Sequence, residues 1–488
     1  MAGSGLLDLL VLGGGINGTA VARDAAGRGL AVALVERGDL ASGASSASTR
    51  LIHGGLRYLE FGAFGLVAKA LGERELLMAA APHAVQPMPF LLPVLPWGRP
   101  AWKLRLGLFL YDRLSRRRSL PGAVPLRLRE EPAAGALRPD LTRAFRLWDA
   151  WTDDARLVVL FARDAAARGA AVHLRDPPVE ARRIEAGWEV RLASGRRLAA
   201  RMLVNCTGPW AERVARNLLR VPDPPRLRLV QGAHLITRRV NRGPDAWMLQ
   251  QPDGRVLFVI PLDRSHSYIG TTETPVEDPA GIGCTEEEEA YLLAGVNAVL
   301  ARPLAPSDIV HRIAGVRPLV LEPGKTDRET SRDWRLVRHD EATLSVVGGK
   351  LTTARRLAED VLRAVAPRTR PWTARAVLPG GDIPRARGST PESDYAAFVA
   401  GLIARHADYD PAIVRRLARR WGMEAEPMLE GGLGSNLGGL FEAEIRHMRE
   451  REWAASPEDI VFRRTRIGLS DPAAVARIEA ALARTQPA

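Results

Sequence analysis

The chain has 488 residues but only two cysteines, Cys206 and Cys284. Two thiols cannot build a disulfide framework or a metal-ligand cluster, so no metal site is expected and a reducing, cytoplasmic compartment fits. No run of about 18 uncharged apolar residues occurs, which excludes a membrane-spanning helix. A secretory leader is not expected either, because the first apolar run, Leu9 to Leu12, already belongs to a folded strand. Lysine is scarce as well. Of 69 basic residues 65 are Arg and four are Lys, and the formal net charge is +13. That charge could draw an anionic partner. Arginine enrichment on this scale equally reflects a compositional bias of the whole genome, and no helix-turn-helix, zinc or RNA-binding signature accompanies it, so no nucleic-acid partner is expected.

What is present is a soluble composition, 46% hydrophobic and 26% charged, in a chain long enough for two or three domains. Its opening segment, LLVLGGGINGTAVARDAAGRGLAVALVE from Leu9 to Glu36, reads as strand, glycine turn, helix and strand. Gly13, Gly15 and Gly18 have the spacing of a dinucleotide fingerprint: a tight turn, a close approach to a pyrophosphate and a close helix–strand contact. The helix is expected over Ala20 to Gly29 and the second strand over Leu30 to Val35. Glu36 ends that strand where a carboxylate can accept hydrogen bonds from ribose hydroxyls and would repel a 2′-phosphate. The nucleotide is therefore expected to be unphosphorylated at the ribose.

The next stretch, ASGASSASTRLIHGGLRYLEFG from Ala41 to Gly62, offers hydroxyls at Ser42, Ser45, Ser46, Ser48 and Thr49 to a second phosphate. His53, Arg57 and Tyr58 flank a Gly-Gly pair. With GGGING, these segments and PAWKLRLGLFLYDRL, DDARLV, NCTGPW, GVRPL, SVVGGKLTT and VLPGG make the chain resemble the FAD-dependent, respiratory sn-glycerol-3-phosphate dehydrogenases, within the D-amino-acid-oxidase-like flavoproteins. The resemblance implies an α/β fold with a Rossmann-like FAD-binding domain, an antiparallel-sheet substrate domain and a C-terminal helical cap. We expect the FAD-binding domain to comprise residues 1–82, 148–225 and 313–370. The substrate domain would comprise 83–147 and 226–312, and the cap 385–488.

The resemblance also implies roles. Gly13, Gly14, Gly15, Ile16, Asn17, Gly18, Glu36, Ser45, Ser46, Thr49, Gly349, Lys350, Leu351 and Thr352 would hold FAD. Arg57, Tyr58, His234, Arg317 and Arg332 would bind sn-glycerol 3-phosphate. His53 is the first choice for the base, with His234 second and Arg317 assisting. A phosphate dianion calls for forked, permanently charged donors, which Arg supplies better than Lys. The base must lie within about 3 Å of the substrate hydroxyl, and His is expected to titrate near neutrality. Lys350, at the start of a helix after a Gly-Gly turn, would stabilise reduced flavin. Dihydroxyacetone phosphate would be the product and a membrane quinone the electron acceptor, with the protein peripheral on the inner face of the cell membrane; a homodimer is allowed for.

Three other stretches carry expectations. Arg99 to Arg118 reads as a helix with seven basic residues, either a membrane-surface element or a buried helix with snorkelling arginines. Arg368 to Pro391 reads as a linker. FRRTR, Phe462 to Arg466, is placed in the cap, facing the site. The rival activities are an oxidase returning electrons to O₂, an amino-acid oxidase or dehydrogenase, and a flavin-binding protein without turnover.

Overall fold

The computed structural model describes residues 5–485 apart from 115–118, 242 and 321–332. Strand β1 (Leu7–Leu12), helix α1 (Ile16–Gly27) and strand β2 (Val32–Glu36) open the chain. β1 is the centre of an eight-stranded sheet and pairs in parallel with both β2 and Arg197–Asn205. Thr343–Val347 and Ala171–Leu174 extend the parallel array on either side, Arg335–Asp340 closes one edge antiparallel, and the hairpin Pro178–Ile184/Gly187–Leu192 pairs onto Arg197–Asn205. The continuous apolar run of β1 follows from burial on both faces. Leu9 and Val11 pack with α1 and the helices Asp154–Ala167 and Ala354–Val365, whereas Leu10 and Leu12 pack against Trp188 and Val190. α1 begins four residues earlier than expected. The turn is only Gly13 to Gly15, so Asn17 and Gly18 already lie in the first helical turn.

A ten-stranded second sheet runs Thr274–Val276, Leu227–Arg238, His266–Gly270, Val256–Pro261, Ala246–Gln250, Val85–Pro93, Arg143–Thr152, Leu51–Ile52, with Ile309–Val320 and Val124–Arg127 paired onto it. It is antiparallel except that Ala246–Gln250 and Val85–Pro93 run parallel, a pairing between distant segments that strand patterns do not reveal. Two expected boundaries fall inside strands. Position 147/148 lies within Arg143–Thr152, and 312/313 within Ile309–Val320, which pairs with Leu227–Arg238 along almost its whole length. Each strand continues without a break across the expected boundary.

The C-terminal helices Pro391–Arg405, Pro411–Trp421, Ala425–Glu430, Glu442–Glu452 and Ala474–Thr485 enclose a separate core around Trp421. The segment expected as a linker is a packed strap. Trp372 donates from Nε1 to the Asp24 carbonyl (3.1 Å) and lies against Gly27, where a Cβ would come within 2.0 Å of its ring. Cys206 is a buried filler whose thiol burial keeps protonated.

Where cap meets body, His83 is 1% exposed with both ring nitrogens buried and without a hydrogen-bond partner among the described residues. Burial, then Arg156 and Arg163, pushes its pKa down to about 3. The native state therefore resists protonation at pH values where the unfolded chain, with its pKa near 6.5, takes up a proton. The resulting loss of stability grows as pH falls from about 6.5 towards 3, by about 1.4 kcal/mol per pH unit for this one group. His83→Leu is expected to flatten that slope in urea midpoints measured across this window.

Candidate functional site

A cavity of about 660 Å³ runs from the carboxyl ends of β1, β2 and Arg197–Asn205 to the underside of the second sheet. Ligands of open α/β sheets bind at this end of the strands. Gly13, Gly15, Ile16 and Asn17 line its nucleotide end. A Cβ at Gly18 would lie 1.9 Å from the Gly13 carbonyl oxygen, so only glycine lets α1 approach β1 this closely. At Gly15 the nearest atom to an added Cβ among the described residues, its chain neighbours aside, is Ser45 Oγ at 3.1 Å, leaving room for a phosphate over the helix N-terminus. Ser45 Oγ accepts the Ile16 N–H at 3.0 Å.

Glu36 lines the same end, oriented by the N–H groups of Gly14 (2.6 Å to Oε2) and Gly38 (2.8 Å to Oε1). Asn17 donates to the Gly348 carbonyl at 2.9 Å and keeps its own Oδ1 buried without a partner among the described residues. That turn then delivers Gly349, Lys350, Leu351 and Thr352 to the cavity wall ahead of helix Ala354–Val365. A phosphate-sized space at a helix N-terminus, a carboxylate closing β2 and a second helix N-terminus at the far wall fit FAD.

The far end gathers His53, Tyr58, Phe258, Thr271, Arg317 and Lys350. Lys350 Nζ stands 3.9 Å from the Tyr58 ring centroid, and Arg317 donates to Thr271 Oγ1 at 3.3 Å. The backbone around His53 is held from both sides. Its N–H donates to Thr352 Oγ1 (3.3 Å), and the Gly54 N–H donates to the Tyr111 hydroxyl (2.8 Å). Tyr111 in turn donates to Asp149 (2.8 Å), which also accepts from Arg74 (2.7 Å). The ring nitrogens of His53 make no hydrogen bond among the described residues. Burial, then Lys350 and Arg74, pushes its pKa down to about 3, below the neutral range expected. Burial thus favours the uncharged imidazole in a residue that lines the cavity.

Other expected residues fall elsewhere. His234 is fully buried and does not line the cavity. It sits behind Thr49, 3.1 Å from Nε2 to Thr49 Oγ1, and stacks on Tyr268 at 4.6 Å. Gly270 opposite makes room for the imidazole, since a Cβ there would lie 2.0 Å from the ring. Burial, then Arg317 and Arg50, drives its pKa well down. Gly14 and Gly18 lie beneath the wall, and Ser46 faces a neighbouring smaller cavity, its hydroxyl directed at the Gly43 carbonyl (3.3 Å). Arg57 stands outside the cavity wall on the turn Leu56–Phe61, 6.0 Å from the Phe61 ring centroid. Arg332 lies outside the described residues. The FRRTR segment borders the smaller cavity and not the large one.

The sequence reading missed Phe258, Thr271 and Arg50. Arg50 lines the cavity, is 2% exposed, and has Nε and Nη2 buried without partners among the described residues. Among 65 arginines nothing local marked it out.

A dinucleotide cradle opening directly into a cationic, imidazole-bearing pocket is the site of a flavin-dependent redox enzyme. The chain belongs to the FAD dependent oxidoreductase family, whose model matches residues 8–355, and residues 372–485 match the C-terminal domain of alpha-glycerophosphate oxidase. It is 43% identical over 481 residues to a glycerol-3-phosphate dehydrogenase from Pseudomonas aeruginosa, covering 95% of this chain and 92% of that one. It is 42% identical over 479 residues to a D-erythritol 1-phosphate dehydrogenase from Brucella abortus, covering 94% of both. The crystal structure of the Bacillus halodurans glycerol-3-phosphate dehydrogenase complexed with FAD matches with a TM-score of 0.77 at 28% identity, covering 99% of this chain and 90% of that chain.

Proposed function

We propose that this chain oxidises sn-glycerol 3-phosphate to dihydroxyacetone phosphate and passes the electrons to a membrane quinone. The observation that carries the reading is that Arg317, Lys350 and His53 share one end of the cavity whose other end is the dinucleotide cradle. When bound, FAD supplies the acceptor for the hydride leaving C2 of the substrate. Arg317 presents a permanently charged fork to the phosphate, which carries nearly two negative charges at neutral pH. His53 takes the C2 hydroxyl proton at a ring nitrogen. Arrival of the phosphate dianion offsets the repulsion from Lys350 and raises the basicity of the imidazole. Lys350 and the N-terminus of helix Ala354–Val365 favour negative charge accumulating at the wall between them.

A phosphorylated four-carbon polyol is the second reading, favoured by the similarity to the D-erythritol 1-phosphate dehydrogenase at nearly the same identity. Comparing initial rates with sn-glycerol 3-phosphate, its enantiomer, glycerol and D-erythritol 1-phosphate tests the choice. Higher kcat/KM for the C4 substrate would overturn the first reading. Reoxidation that is fast with quinone and slow with O₂ is expected; the reverse would assign an oxidase.

The membrane part of the proposal rests on helix Ala101–Leu114. Its apolar residues fail to form one stripe because they form two. Leu104, Leu108 and Tyr111 point inward, whereas Trp102 (69% exposed), Leu106 (51%), Phe109 (51%) and Leu110 point outward. Lys103 and Arg105 flank the outer stripe, and exposed Phe61 and Phe64 lie on elements that contact this helix. An exposed apolar stripe bordered by cations suits the headgroup region of an anionic bilayer. No described helix is long and apolar enough to cross a membrane. The proposal therefore places the protein on the cytoplasmic face, in keeping with two unpaired cysteines. Trp102→Glu with Phe109→Glu is expected to abolish co-sedimentation with anionic vesicles while leaving flavin content unchanged. Undiminished co-sedimentation would move the contact elsewhere.

A further inference from the structure

Residues 37–49 leave β2, pass along the cavity and contribute Ser42, Ser45 and Thr49 to its wall. The segment is mostly small and polar, with Leu40 and Ala41 as its buried apolar side chains. Composition of this kind offers little apolar surface with which to fix a conformation. Polar bonds fix it instead, from Asp154 and Arg175 of the nucleotide fold and, at two points, from the C-terminal cap.

At the first point, Asp39 is 4% exposed and accepts from both terminal nitrogens of Arg464 (2.7 and 2.8 Å) and from Arg463 Nε (2.6 Å). The Arg464 side chain is fully buried and also donates to the Glu452 carbonyl at 3.0 Å. At the second point, Arg466 donates to the Ser46 carbonyl at 2.8 Å and pairs with Asp154. The other oxygen of Asp154 accepts from the Ser48 N–H (3.0 Å) and hydroxyl (2.8 Å). The backbone takes the left-handed conformation at Ala41 (φ 60) within the stretch, at Arg50 (φ 60) just after it, and at Arg466 itself (φ 62). Non-glycine residues hold that conformation only where their surroundings fix it.

We propose that the helical cap is the retaining element for the cofactor, with Arg464 and Arg466 as positioning residues that keep residues 37–49 in their FAD-binding shape. Cap docking and cofactor binding then form one coupled equilibrium. Whatever factor the docked cap adds to FAD affinity, bound FAD must return to cap docking. The cap touches the cofactor's binding loop but, among the described residues, contributes no side chain to the large cavity, so its influence is indirect.

The competing account is that these are ordinary buried ion pairs, costly to break wherever they lie. An internal control separates the two. Arg163 on helix Asp154–Ala167 pairs with Glu424 of the cap through two bonds of 2.7 Å, neither of which involves residues 37–49. In full-length protein, Arg466→Met and Arg464→Met are expected to raise the FAD dissociation constant about tenfold or more, measured by titrating apoprotein with FAD. Glu424→Gln is expected to lower Tm while leaving that constant unchanged, because in the native state the cap stays docked and its bonds to residues 37–49 are intact. Reciprocally, adding FAD to wild-type apoprotein should slow amide hydrogen exchange in Pro411–Trp421 and Glu442–Glu452. A wild-type dissociation constant in Arg466→Met, or a rise in Glu424→Gln matching its loss of Tm, would overturn the proposal. Should the arginine variants fail to fold, cap exchange in wild type that is indifferent to FAD would overturn it equally.

Discussion

His53→Gln is expected to slow flavin reduction by roughly 10²- to 10⁴-fold, the range for removing a general base, while flavin content stays at the wild-type level. The two halves of this expectation rest on different atoms. The side chain lines the cavity and its ring nitrogens make no hydrogen bond among the described residues, whereas the loop is held by backbone groups: the His53 N–H on Thr352 and the Gly54 N–H on Tyr111. Glutamine keeps the backbone bonds and much of the volume but cannot take a proton. Behind Tyr111 stand Asp149 and Arg74, a buried network the substitution does not touch. Stopped-flow absorbance under anaerobic conditions checks the rate, and flavin released on denaturation checks occupancy. A rate equal to wild type would reject His53 as the base and leave His234, which contacts the cavity-lining Thr49, as the candidate.

Arg317→Ala should act on binding. The guanidinium lines the far end of the cavity and donates to Thr271, and losing a charge-assisted fork to a phosphate costs about 2–4 kcal/mol. That corresponds to a rise of roughly 30- to 1,000-fold in the substrate dissociation constant, with FAD retained. Arg317→Lys should recover only part of this, because an ammonium restores the charge without the planar pair of donors. A phosphate-free analogue should bind wild type and variant alike. If wild type bound that analogue as tightly as the substrate, the phosphate role of Arg317 would be lost.

The nucleotide cradle was legible because everything that defines it is local. Strand, turn, helix and closing carboxylate lie within residues 7–36, and each follows from a spacing. The residues at the far end were harder because strands from distant parts of the chain bring them together. Arg317 reaches the cavity from Ile309–Val320, Phe258 from Val256–Pro261 and Thr271 from just after His266–Gly270. An arginine looks the same in sequence whether it lines a cavity, as Arg50 does, lies beside an exposed ring, as Arg57 does, or grips a buried aspartate, as Arg464 does. His234 shows the same limit for a strand residue. Pleat alternation and Gly270 decide that it sits behind Thr49, and neither is visible from its immediate neighbours. Helix Ala101–Leu114 resisted a periodicity argument because two apolar stripes of one helix cancel in any single-stripe test, and only burial separates them.

The most direct test of the central claim is to mix the purified, FAD-loaded protein with sn-glycerol 3-phosphate in the absence of oxygen and follow the visible flavin band. The account predicts that the colour bleaches within the time of a catalytic turnover and that one molecule of dihydroxyacetone phosphate forms per flavin reduced. A flavin that stays oxidised with sn-glycerol 3-phosphate, yet bleaches with an amino acid, would contradict it.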